Sequence, residues 1–169
     1  MDPYVNVAKN ALEAFVREGK IIDVPDSLPD EMIRDSAGTF VSIKKHGELR
    51  GCIGTISPTM PNIAQEIIQN AISSGTQDPR FDAVDISELN SLTYSVDVLK
   101  KPEPVDSMEE LDANRYGVIV RSGNRSGLLL PNLAGVDTPL EQISIALRKG
   151  GIDPKSEFSI ERFEVIRHK

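Results

Sequence analysis

Cys52 is the single cysteine of a 169-residue chain, and it stands in the stretch Leu49-Arg50-Gly51-Cys52-Ile53-Gly54-Thr55-Ile56. Read as a strand, this stretch puts Arg50, Cys52 and Gly54 on one face and Leu49, Gly51 and Ile53 on the other. A guanidinium beside a thiol stabilises the thiolate, the form that attacks electrophiles. Glycines on either side leave room for a ligand to approach the backbone. The spacing marks Cys52 as a candidate nucleophile. The competing reading is core packing, since cysteine is among the most buried residue types and a two-residue loop at His46-Gly47 would set Val41 opposite Cys52. A longer loop changes that partner, so the register stays open.

A cysteine nucleophile usually needs a base. His46 lies near the hairpin tip, six strand positions from Cys52, and His168 sits in a C-terminal tail expected to fray. A Cys-His dyad is therefore not expected. The substitutes are Arg50, the start of the helix after Pro61, or a carboxylate such as Asp78. Asp78 opens Gln77-Asp78-Pro79-Arg80-Phe81, a turn that combines both charge signs with a proline and an aromatic ring; it reads either as one wall of a site or as a surface turn in which Asp78 caps and Phe81 anchors. Other motifs fail: Gly51-x-x-Gly54 lacks the spacing and lysine of a phosphate loop, no dinucleotide fingerprint follows a strand, and no serine sits in a nucleophile elbow.

Composition narrows the classes. With 19 basic and 26 acidic residues the formal charge is −7, which repels polyanions and disfavours nonspecific nucleic-acid binding. One cysteine and two histidines leave a structural zinc site almost without soft ligands, and no cofactor is expected. No apolar run approaches membrane-spanning length, and Asp2, Lys9 and Glu13 occupy the place of a signal peptide's apolar core, so the chain reads as soluble, unprocessed and cytoplasmic. The length suits one domain with an aliphatic core.

The elements that must position these residues follow from periodicity. Asp2-Pro3 starts a helix through Val5, Ala8, Leu12, Phe15 and Val16, and Gly19 stops it. Asp23 to Arg34, with two prolines, reads as an extended connection. Gly38 to Ile43 and Leu49 to Ile56 form a β-hairpin around a Lys44-Lys45-His46-Gly47 turn, and Ile63, Ile67, Ile68, Ala71 and Ile72 a helix ending at Gly75. Leu92, Tyr94, Val96 and Val98 alternate with Thr93, Ser95 and Asp97 as a half-buried strand. Ser107 with Glu110, and Thr138 with Glu141, are capping boxes. Gly117 to Arg121 and Gly127 to Leu130 form a hairpin around Ser122 to Ser126. Leu140, Ile143 and Leu147 mark the buried face of a last helix stopped by Gly150, and Phe158, Ile160, Phe163 and Val165 a strand whose alternation slips near Arg162, as at a bulge. The mixture favours an α+β domain with mostly antiparallel sheet packed by helices, ahead of parallel α/β.

Leu49-Arg50-Gly51-Cys52-Ile53-Gly54-Thr55, Asp78-Pro79-Arg80-Phe81, the Leu92 to Leu99 strand, Gly127-Leu128-Leu129-Leu130-Pro131 and Leu147-Arg148-Lys149-Gly150-Gly151 together resemble the AMMECR-one domain family over nearly the whole chain. The Gly-Leu-Leu-Leu-Pro segment is similar to the bacterial type, system protein A of the AmmeMemoRadiSam set. The resemblance implies a single domain over 1–169, with a larger and a smaller subdomain around a cleft that holds the cysteine motif. It also implies association with a Memo-like protein and a radical S-adenosylmethionine protein. This chain has no cysteine triplet for an iron-sulfur cluster. Ala146-Leu147 stands where bacterial relatives often carry a second cysteine, which weakens a two-cysteine redox scheme.

The leading expectation is a cleft that binds a small molecule or peptide, with Cys52 as catalytic nucleophile or soft contact and Arg50, Gly51, Gly54, Thr55, Asp78, Arg80 and Phe81 around the ligand. Arg50 and Arg80 would hold an anion and Phe81 would pack on the ligand. The alternative is a non-catalytic adaptor that assembles partner proteins while Cys52 packs in the core. RNA binding through the Arg121 and Arg125 hairpin is a distant third.

Overall fold

Asp2 begins α1 (Pro3–Glu18) by accepting the N–H groups of Tyr4 and Val5, while Pro3 occupies the first helical position, where a donor is not needed. Gly19, at φ 66°, closes it. The computed structural model describes all 169 residues, and the chain divides into a larger unit, Met1–Leu99 with Ile166–Lys169, and a smaller one, Lys100–Val165. Each has its own four-stranded sheet.

In the larger unit β1 (Thr39–Lys45) and β2 (Glu48–Gly54) form the expected antiparallel hairpin. Its two-residue turn, His46-Gly47, has φ of 52° and 81°, the twist that suits a tight hairpin. With β3 (Leu92–Leu99) and β8 (Val165–His168) the strand order is β2-β1-β3-β8. One face of this sheet, carrying Val41, Ile43, Tyr94, Val96 and Val98, packs on α1 and on α3 (Ile63–Thr76) through Ala8, Leu12, Ile67 and Ala71. The segment read as a wholly extended connection turns helical at its end: α2 (Asp30–Arg34) follows Pro29 because Met32 is drawn fully into the core. Gly75 does not stop α3. It lies within the helix, and a Cβ there would collide with Leu12.

Tyr94 has a hydroxyl that is buried and finds no hydrogen-bonding group; burial and the charge of Glu13 push its pKa above the ordinary tyrosine value. An orphaned buried hydroxyl costs more than it returns. Tyr94→Phe will therefore be neutral or stabilising by up to about 1 kcal/mol in urea denaturation.

The smaller unit orders β4 (Glu103–Pro104), β5 (Gly117–Ser122), β6 (Arg125–Leu129) and β7 (Ser159–Phe163) as β4-β7-β5-β6, and α4 (Pro139–Gly150) packs on β5 and β6. Ser107 and Glu110 form the expected capping box, and Thr138 caps α4 by accepting the Glu141 N–H, with the Glu141 side chain on the Thr138 hydroxyl in place of its backbone N–H. Three expectations are corrected. Leu140 is 67% exposed, and Gln142, Ile143, Ala146 and Leu147 make the buried face. Gly150 is the last helical residue and Gly151, at φ 64°, is the cap; Gly150 is small because the backbone of Ser126 and Gly127 lies against it. The slip near Arg162 is no bulge: β7 ends at Phe163 and the chain resumes as β8 in the other sheet.

The fold is α+β, with two antiparallel sheets packed by helices. No helix is long and apolar enough to cross a membrane.

Candidate functional site

The position of Cys52 is decided two residues before it. Lys45 pairs with Glu48 and Lys44 with Leu49, as the two-residue turn requires, but Ile43 pairs with Gly51, so Arg50 is an extra, bulged residue. The register beyond it shifts by one, and Cys52 faces Ser42 instead of the expected Val41. A one-residue slip exchanges the two faces of a strand. Cys52 therefore leaves the face that packs on the helices and lies partly exposed on the other, its Sγ 3.3 Å from Ser42 Oγ. Ser95, also paired with Ser42, shares this face, as does Asp97, two residues further along β3.

The outer edge of β2 is held by the turn after α3. Asp78, 4% exposed, accepts the Cys52 N–H at 3.0 Å, the Arg80 N–H at 3.0 Å, and Arg80 Nε and Nη2 at 3.0 and 2.8 Å. These bonds, the Arg80 guanidinium first, hold its carboxyl far below the usual carboxylate range despite burial. Arg80 itself stays half exposed and reaches the Cys52 carbonyl at 3.5 Å. Arg50 meets a partner that sequence reasoning missed: Glu88 accepts from its Nε and Nη2 at 2.9 and 3.1 Å and also from Lys45. The Arg50 bond, with smaller help from the Asp85 N–H and Lys45, brings Glu88 down to about 2. Both guanidinium groups lie over the Phe81 ring, Arg50 Cζ at 5.9 Å and Arg80 Cζ at 5.4 Å from its centroid, so the ring contacts two cations.

The small residues of the motif serve the chain's own packing. Gly51 lies under the Ser74 carbonyl, and Gly54 against the Phe40 ring and the Thr39 carbonyl. Ser74 enters the hairpin directly, accepting the Ile53 N–H and donating to the Val41 carbonyl, both at 2.8 Å. Because the last turn of α3 is what meets β2, the helix presents its carbonyl end there, not the activating N-terminus expected after Pro61. Thr55 donates to Glu66, a fully buried carboxylate that also accepts from Thr59 and Met60 and so fixes the segment after β2.

The AMMECR1 family profile matches residues 5–168. The chain belongs to the AMMECR1 family. A Thermotoga maritima protein is 50% identical over 169 residues, covering 99% of this chain and 97% of that protein. A Clostridium acetobutylicum protein is 52% identical over the same length, but this chain spans only 36% of it. In fold the chain is similar to the crystal structure of an uncharacterised protein from Pyrococcus horikoshii, at TM-score 0.89 and 30% identity, over 97% of this chain and 88% of that one.

In this AMMECR1 chain the structure thus brings Arg50, Cys52, Asp78, Arg80 and Phe81 together within the larger unit. It adds Ser42, Ser95, Asp97, Glu88 and Arg167. The polar alternation Thr93-Ser95-Asp97 had signalled a second face to β3, but nothing in the sequence paired Asp97 with Arg167, whose Nε and Nη2 reach it at 2.8 Å each. Arg80 and Arg167 are both held above their ordinary pKa, chiefly by Asp78 and Asp97 and in smaller part by charge at Cys52. His46 is exposed at the turn. His168 does not fray: its ring stacks on Tyr4 at 3.7 Å and its Nδ1 lies 2.8 Å from Asp2 Oδ2. In the other hairpin, Arg121 is bonded to Glu161 and Arg125 to the Gly151 carbonyl.

Proposed function

We propose that the helix-free face of the larger unit's sheet around Cys52 binds a small molecule or an extended peptide segment, with Cys52 as its nucleophile. We place the protein as a component of an AmmeMemoRadiSam system, working with a Memo-like protein and a radical S-adenosylmethionine protein. The observation that carries the reading is that the bulge at Arg50 turns a partly exposed thiol onto the face of the Ser42 hydroxyl, while the Arg80 guanidinium reaches the carbonyl of the same cysteine. Arg80 is the group suited to a ligand anion, because it is half exposed, whereas Arg50 is committed to Glu88 and only 14% exposed. The family resemblance supports the partners. Gly51, Gly54 and Thr55 act by shaping the strand and the segment after it.

The test is the rate of Cys52 alkylation by iodoacetamide against pH. The same thiol in the urea-unfolded chain is the reference, and the measurement is repeated with the two partner proteins present. Near pH 7 the folded protein will react faster than the unfolded chain, and the partners will protect it. A folded thiol slower than the unfolded one at every pH overturns the catalytic reading. In that case the adaptor function stands if Arg80→Ala or Phe81→Ala weakens association while Cys52→Ser does not.

A further inference from the structure

The larger unit contains a second polar assembly that shares no residue with the Cys52 face. A cavity of about 550 Å³ opens beside the start of α1. Its apolar floor includes the buried Ile63 and Val98, and Tyr4 and His168 line it as a stacked pair. The exposed residues that line it are Glu31, Arg34, Asp35, Ser36 and Ile166. The rim is anchored at two points: Met32 is fixed in the core, and the Ile63 N–H donates to the Asp35 carbonyl at 2.9 Å. The cavity is therefore formed before any ligand arrives.

Its polar groups are mostly acceptors. Asp2 holds the His168 ring in place through Nδ1. Tyr4 donates its hydroxyl to one oxygen of Glu31 at 3.1 Å, leaving the other oxygen for a ligand. The Asp35 side chain makes no hydrogen bond or ion pair. Against these stands Arg34, whose pairing with Asp30 at 3.8 Å is solvent-exposed and weak. The start of α1 adds a partial positive charge, already covered by the Asp2 cap. The balance registers at the Tyr4 hydroxyl, which is pushed up to about 12 by burial, by the Glu31 hydrogen bond and by the charges of Glu31, Asp2 and Asp35.

We propose that this cavity binds a small organic cation, a primary ammonium on a short apolar body. Glu31 and Asp35 accept its N–H donors, and Ile63 and Val98 cover the body. The test titrates ¹⁵N-labelled protein with butylammonium, butanol and butyrate, following the Ser36 and Ala37 amides and the His168 ring. Butylammonium will shift these signals saturably, butanol far less and butyrate not at all. The Glu31→Gln/Asp35→Asn double variant changes only exposed side chains, and circular dichroism will show it folded. It will bind butylammonium at least about tenfold more weakly. Absence of butylammonium binding, equal binding of butanol, preference for butyrate, or an unaffected double variant each overturns the assignment.

Discussion

Gly51→Ala will destabilise the larger unit by about 3 kcal/mol, the upper end of what overpacking costs. The methyl group it adds points at the Ser74 carbonyl oxygen, inside van der Waals contact. That oxygen belongs to helix backbone, so it cannot swing aside as a side-chain end would. Moving it means displacing the last turn of α3, and with it Ser74, whose hydroxyl bridges Val41 and Ile53 across the hairpin. Gly47, four residues away, supplies the control. Its φ is 81° but nothing lies near the site of an added methyl, so Gly47→Ala meets only backbone strain of about 1 kcal/mol. Urea denaturation of both variants separates contact from conformation. Equal losses would mean that the helix does not press on β2 at Gly51.

This contrast also shows what the sequence could disclose. Local signals were legible: the Asp2-Pro3 start, the hairpin before Cys52, the Ser107 and Thr138 caps and the alternation of β3 each rest on residues a few positions apart, and each formed, although the hairpin's turn is shorter than the Lys44 to Gly47 stretch that the sequence offered. The Asp78 turn could be singled out because charge, proline and aromatic ring stand together in five residues. Effects that depend on distant partners were hidden. The bulged residue is an arginine, a residue type that does not announce a bulge, yet it moves Cys52 from the helix-packed face to the other. The cause lies partly in Glu88, 38 residues on, which draws the Arg50 side chain to itself. His168 shows the same limit in reverse, since its anchor is Asp2 at the opposite end of the sequence. The break between β7 and β8 produced a visible slip in periodicity, but a slip does not say whether the strand bulges or changes sheets.

Asp78 is where packing and the proposed chemistry meet, and its loss should be nearly as severe. Asp78→Ala removes the acceptor of the Cys52 N–H and three bonds to Arg80. Arg80 is half exposed and recovers water, so the ion pair contributes less than a buried one would. The greater part of the loss comes from the Cys52 N–H at the edge of β2, and the total comes to about 2–4 kcal/mol. The pH dependence gives this loss a signature. The folded carboxyl sits far below its unfolded value of 3.8, so its contribution is complete above about pH 5 and is lost as acid protonates it. The gap in unfolding free energy between the natural protein and Asp78→Ala will therefore be constant from pH 7 to pH 5 and will narrow below pH 4. Asp78→Asn keeps one acceptor oxygen for the Cys52 N–H and should lose less than alanine. The variants also reach the thiol: with Asp78 gone the Arg80 charge beside Cys52 is no longer neutralised, so a protein that still folds will alkylate faster at pH 7. A gap that persisted unchanged at pH 3 would show that Asp78 acts by shape alone, and faster alkylation would then have to come from loosening of the strand edge.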